Sequence, residues 1–101
     1  MTSLIEEIRK FILEYKASNH KLEKLKADNL IKKNPKEINL LQNISLVYLK
    51  NKKINDAVII LKKIIEINPK SIDTLINLAN AYYELNNLDK ALFVLEKAKK
   101  L

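Results

Sequence analysis

The chain contains two prolines, Pro35 and Pro69, whose positions differ by 34. Each follows an asparagine, and each separates stretches in which apolar residues recur every three or four positions. That recurrence gathers the apolar groups on one stripe of a helix. Proline is tolerated in the first turn of a helix and breaks its interior, so each Asn-Pro reads as a stop and a restart. A period of 34 in a chain of 101 residues leaves room for three such blocks.

The stripes divide the blocks further. The first runs through Leu4, Ile5, Ile8, Phe11, Ile12 and Tyr15, opened by a Ser3/Glu6 capping box. A second helix is expected from His20 to Lys33, through Leu22, Leu25, Leu30 and Ile31. Asn34 is expected to cap the third, which carries Leu40, Leu41, Ile44, Val47 and Tyr48 and stops near Asn51. Asn55 should cap the fourth, on Ala57, Val58, Leu61, Ile64 and Ile65. The fifth holds Leu75, Leu78, Ala79, Tyr82 and Tyr83 and ends at Asn86-Asn87. Asp89 should cap the sixth, on Ala91, Leu92, Leu95 and Ala98. No stretch alternates with period two, so no strand is expected.

Shifting the chain by this period aligns Leu41 with Leu75, Asn43 with Asn77, Tyr48 with Tyr82, Ala57 with Ala91 and Leu61 with Leu95. Ile44/Leu78 and Val58/Leu92 fill matching slots conservatively. Residues 72–101 present Leu75, Leu78, Ala79, Tyr82, Ala91, Leu95 and Ala98, and stop before a proline slot. Residues 38–71 present Leu41, Ile44, Ser45, Tyr48, Ala57, Leu61, Ile64 and Pro69. This order of large, apolar, small and aromatic residues, then alanine and proline, resembles the tetratricopeptide repeat. Residues 4–37 keep Ala27, Leu30 and Pro35 but lose the aromatic and the central alanine, so they form a degenerate unit. The resemblance implies an all-α fold in one domain, residues 1–101: a right-handed α-α superhelix, or solenoid, of three helix–turn–helix units and six antiparallel helices. It also implies a non-enzymatic protein-interaction module, adaptor or chaperone-like. The third unit lacks the capping helix that usually closes such arrays.

Composition removes other classes. With no glycine, neither a phosphate-cradling loop nor a dinucleotide fingerprint can form. The family often places glycine at the turn between paired helices, where this chain has Lys52 and Asn86. With no cysteine and one histidine, His20, there is no basis for a disulfide, thiol chemistry or a zinc cluster. No nucleophile–base pair is apparent, and neither a cofactor nor a metal is expected. The net charge of +7 comes from 18 lysines and a single arginine, Arg9, against 12 acids. Lysine clusters without aromatic interleaving argue against nucleic acid and fit solvated helix faces. Charges interrupt the apolar N-terminal stretch, so neither a signal peptide nor a membrane span is expected, and a cytoplasmic protein is.

The resemblance places a partner groove on the exposed face of each first helix. In the first unit this face holds Ile5, Ile8, Arg9, Ile12, Tyr15 and Lys16. The second offers Asn39, Gln42, Asn43, Leu46, Leu49 and Lys50. The third offers Asp73, Ile76, Asn77, Asn80, Tyr83 and Glu84. Several of these are large apolar groups rimmed by polar ones, which points to an apolar peptide or helix as the partner. One branch of the family clamps the terminal carboxylate of chaperone tails with lysine, arginine and asparagine. Those slots hold Ile8, Ile12, Asn43, Asp73 and Asn77 here, and only Asn43 matches. In the last helix, Leu92, Phe93, Val94 and Leu95 go round too wide an arc for one buried stripe. Self-association through Leu92, Phe93 and Val94 into a homo-oligomer is therefore a second expectation.

Overall fold

The computed structural model describes residues 3–17 and 21–101. Among the described residues there are six α-helices and no strand. They are α1 (Leu4–Ala17), α2 (Lys21–Lys33), α3 (Ile38–Lys50), α4 (Ile54–Ile67), α5 (Ile72–Glu84) and α6 (Leu88–Lys99). The pairs α3–α4 and α5–α6 pack most closely, and α5 lies along α4. α1 packs on α3 and, over less surface, on α2. The molecule measures 43 × 25 × 16 Å, with a radius of gyration of 13.9 Å. A globule of this length would have about 13 Å, so the helix pairs form an elongated row.

Small residues explain the close pairs. Ser45, Ala57, Ala79 and Ala91 are all buried where paired helices meet. Leu41, Ile44 and Tyr48 of α3 and Leu61 and Ile64 of α4 are almost wholly enclosed, and Leu75, Leu78 and Tyr82 of α5 repeat the arrangement. Burial of such side chains contributes roughly 1.5–3 kcal/mol each. The Tyr15 and Tyr48 rings meet edge to face, with centroids 5.9 Å apart, and this contact ties α1 to α3.

The turns within the second and third units are Schellman motifs. After α3, Lys53 N–H donates to Tyr48 C=O at 2.8 Å and Lys52 N–H to Leu49 C=O at 3.2 Å. After α5, Asn87 N–H donates to Tyr82 C=O at 2.8 Å and Asn86 N–H to Tyr83 C=O at 2.9 Å. The motif needs a left-handed residue at its centre, and Lys52 and Asn86 both have φ of 60°. These are the two turn positions singled out in the sequence, and both hold a residue with a Cβ.

Helix starts differ from the sequence expectation by up to three residues. α4 begins at Ile54 with Lys53 at the N-cap, so Asn55 lies inside the helix. α6 is capped by Asn87, whose Oδ1 accepts from Lys90 N–H, and not by Asp89. α3 starts at Ile38 with Glu37 at its cap, and Asn34 instead closes α2, its Nδ2 donating to Leu30 C=O. Ser3 does cap α1, its Oγ accepting from Glu6 N–H at 3.2 Å. His20 and the side chains of Lys16 and Leu22 lie outside the described residues.

The first pair departs from the others at the central alanine slot, among others. Glu23 occupies in the first unit the place that Ala57 holds in the second, and its side chain is buried. Its Oε1 is 3.6 Å from Lys26 Nζ, while its buried Oε2 has no hydrogen-bond partner among the described residues. Lys26 also bonds Glu14 Oε2 at 2.8 Å and holds that carboxyl below the usual range. A carboxylate where the other units have a methyl keeps α1 and α2 from closing as tightly as α3 and α4.

Candidate functional site

The first helices α1, α3 and α5 carry the candidate groove. Leu46 of α3 and Ile76 and Tyr83 of α5 are exposed, although they are large and apolar. Asn39, Gln42, Lys50, Asp73 and Asn80 are exposed beside them, and Asn43, Leu49 and Asn77 are half-buried. On α1, Ile12 is half-buried. A depression of about 130 Å³ lies between α1 and α3, lined by Ile12, Asn43, Leu46, Val47, Lys50 and Asn51. It brings four of the sequence-derived groove residues together: Ile12, Asn43, Leu46 and Lys50. Asn43 and Asn51 each donate from Nδ2 to the carbonyl one turn back, at 2.8 and 2.7 Å. Those bonds fix the amide planes and leave the side-chain oxygens as acceptors.

Two expected groove residues are placed elsewhere. Ile8 and Tyr15 are buried, with Phe11 between them. Positions i, i+3 and i+7 share one helix face, and the Phe11 and Tyr15 rings pack at 5.7 Å. α1 therefore turns this face to the core, against α3, and Ile5 and Leu13 outward. On α6, Val94 is buried too, because it faces back toward α5, whereas Leu92 and Phe93 are exposed as expected.

The exposed stripe on α6 is related to one inside the molecule. Leu88, Leu92 and Leu95 are 51%, 61% and 43% exposed, while their equivalents on α4, Ile54, Val58 and Leu61, are 9%, 8% and 1% exposed. The difference is α5, which covers α4 and has no counterpart over α6 among the described residues.

Among the described residues no group of three or more histidine, cysteine or acidic side chains could hold a metal ion. Among them, too, no helix is long and apolar enough to cross a membrane.

Helix pairs stacked in a row, with a mixed apolar and polar face along their first helices, define a helical-repeat protein-interaction scaffold. The tetratricopeptide repeat family model matches residues 48–100, and the chain belongs to that family. Among solved structures, MamA (MSR-1) superposes with a TM-score of 0.72 at 22% identity, over 96% of this chain and 56% of that one. MamA (AMB-1) gives 0.74 at 17% identity, over 93% of this chain and 52% of that one. The N-terminal domain of stress-induced protein-1 (STI-1) from C. elegans gives 0.75 at 20% identity, over 94% and 80%. At these identities the likeness is one of fold, and the chain spans about half the length of these two MamA structures. No curated protein matches in sequence.

Proposed function

We propose that the chain is a non-enzymatic adaptor or chaperone-like module that holds an apolar peptide or helix along α1, α3 and α5. The observation that carries this is the exposure of Leu46, Ile76 and Tyr83 on the first helices, with Leu46 in the depression that Ile12, Asn43 and Lys50 also line. Apolar side chains of the partner would cover these three, and the asparagines and Lys50 would meet its backbone or polar groups. A chain-terminal carboxylate fits less well, because Asp73 is exposed on this face and Ile8 is buried. The test is affinity capture with mass spectrometry on the wild type and a Leu46→Ser/Ile76→Ser variant. The reading requires loss of a specific protein partner while far-UV circular dichroism stays unchanged. Loss of fold, or an unchanged partner set, would count against it.

A second reading rests on the uncovered stripe of α6. Leu88, Leu92 and Leu95 repeat an interface that is closed inside the molecule, so a second copy meeting this stripe would form a homo-oligomer. Light scattering then gives a mass that rises with concentration and returns to the monomer value for Leu92→Glu. A monomer mass from micromolar to millimolar concentration would exclude this.

A further inference from the structure

α4 and α6 enclose a cleft of about 400 Å³ above α5, and it shares no residue with the groove. Its apolar lining includes Ile65, Leu75, Leu78 and Tyr82, with Phe93 and Val94 along α6. Its volume falls in the range of ligand sites, about 300–1,000 Å³. Lys62, Lys90 and Lys97 stand at its edges, with Glu66 the one acid among its lining residues. Lys90 Nζ lies 5.5 Å from the Tyr82 ring centroid and Lys97 Nζ 4.7 Å from that of Phe93. The two ammonium groups are thus held over the aromatic walls. None of the three lysines has an ion-pair partner among the described residues.

The internal repeat shows what this position does when its charges are met. Moving back by one repeat carries Lys62 onto Asp28 and Lys90 onto Asp56, at the junction of α2 and α4. There Lys24 of α2 bonds Asp56 of α4, Nζ to Oδ1, at 2.9 Å. The earlier junction therefore supplies both signs of charge from within. At the later one the aspartates have become lysines, and Lys24 is replaced by the apolar Val58.

We infer that the α4–α6 cleft is a second binding site, and that its occupant is an acidic amphipathic helix of a partner protein. Apolar side chains of that helix fill the floor, and its carboxylates pair with Lys62, Lys90 and Lys97. Charge complementarity selects the acidic partner, and the apolar lining selects one with leucine-like side chains rather than a bare polyanion. Nucleic acid is disfavoured because Lys90 and Lys97 cover ring faces on which bases would stack.

The probe is a synthetic helical peptide of about four turns with leucine on one face and glutamate on the other, titrated into ¹⁵N-labelled protein. The expected shifts centre on Leu78, Phe93 and Val94. Binding weakens at least about tenfold for the combined Lys62→Glu, Lys90→Glu and Lys97→Glu variant. A Lys62→Gln, Lys90→Gln and Lys97→Gln variant keeps the side-chain stems and shows a smaller loss in the same direction, should the reversals disturb the fold. Salt at about 0.5 M weakens the wild-type complex. The Leu46→Ser/Ile76→Ser variant binds the probe as the wild type does, so this result is independent of the groove. Equal binding by both lysine variants would overturn the inference. So would shifts confined to α3 and the outer face of α5, or equal affinity for polyglutamate, for short single-stranded DNA or for phosphatidylserine vesicles.

Discussion

Replacing Lys52 by glycine should stabilise the protein. Lys52 holds φ of 60° at the centre of the turn joining α3 and α4. A side chain with a Cβ costs about 1–2 kcal/mol in that conformation, from the clash with its own carbonyl. Glycine removes the clash but gains freedom in the unfolded chain, which takes back about 0.4–1 kcal/mol. The net expectation is about 0.5–1 kcal/mol of added stability, or roughly 3–6 °C in the melting temperature of a domain this size. The turn itself is retained, because its bonds run between backbone groups, from Lys52 and Lys53 N–H to Leu49 and Tyr48 C=O. Lys52→Ala is the control, since it removes the charge and keeps the Cβ. Asn86→Gly should gain less, because asparagine tolerates the left-handed region better than lysine does. Thermal and urea unfolding followed by circular dichroism measure all three. If Lys52→Gly proves no more stable than Lys52→Ala, the strain argument is wrong.

Two further outcomes follow from buried groups. Glu23→Ala, which restores the alanine of the other units, should raise stability by about 1–3 kcal/mol by removing a buried oxygen without a partner; a fall in the urea midpoint would refute this. Burial, then Asp28 and Asp56, push the Tyr48 phenol far above its ordinary value, and burial likewise raises Tyr15. In the unfolded chain these phenols ionise near pH 10, and in the folded chain their ionisation is displaced to higher pH. Their contribution to stability is therefore level below about pH 10 and falls above it, because the unfolded state loses these protons first. Tyr48→Phe should move the midpoint of alkaline unfolding upward, and coincident midpoints would show that Tyr48 is not responsible.

The fold was legible because one period recurs in prolines, tyrosines and alanines alike. Helix starts were less so. Asn55 and Asp89 have capping side chains, but helical backbone already begins at Ile54 and Leu88, so they fall inside. Groove exposure read correctly where the repeat register holds, at Leu46, Ile76 and Tyr83, and failed at Ile8 and Tyr15. Those two belong to the degenerate unit, where the family register does not set the rotation of the helix. Their spacing with Phe11 was the available signal for a buried face. Lys90 and Lys97 gave no local pattern and Lys62 only a pair with Lys63, since the three lie on two helices that only the fold brings together. Their contrast with Asp28 and Asp56 appears once the repeats are aligned. Glu23 was visible as a missing alanine, but not as a carboxylate folded inward.

Glu23 has a consequence for how the molecule opens. In a row of helix pairs each pair is held only by its neighbours, so stability can grade from one end to the other. α1 and α2 meet the rest over the smallest surface, and the acidic slot lies between them. The first pair is thus the unit that can detach as a foldon while α3–α6 remain formed. Its departure would bare the Tyr48 ring that Tyr15 now meets, and the unpartnered Glu23 oxygen would tilt the balance toward that open form.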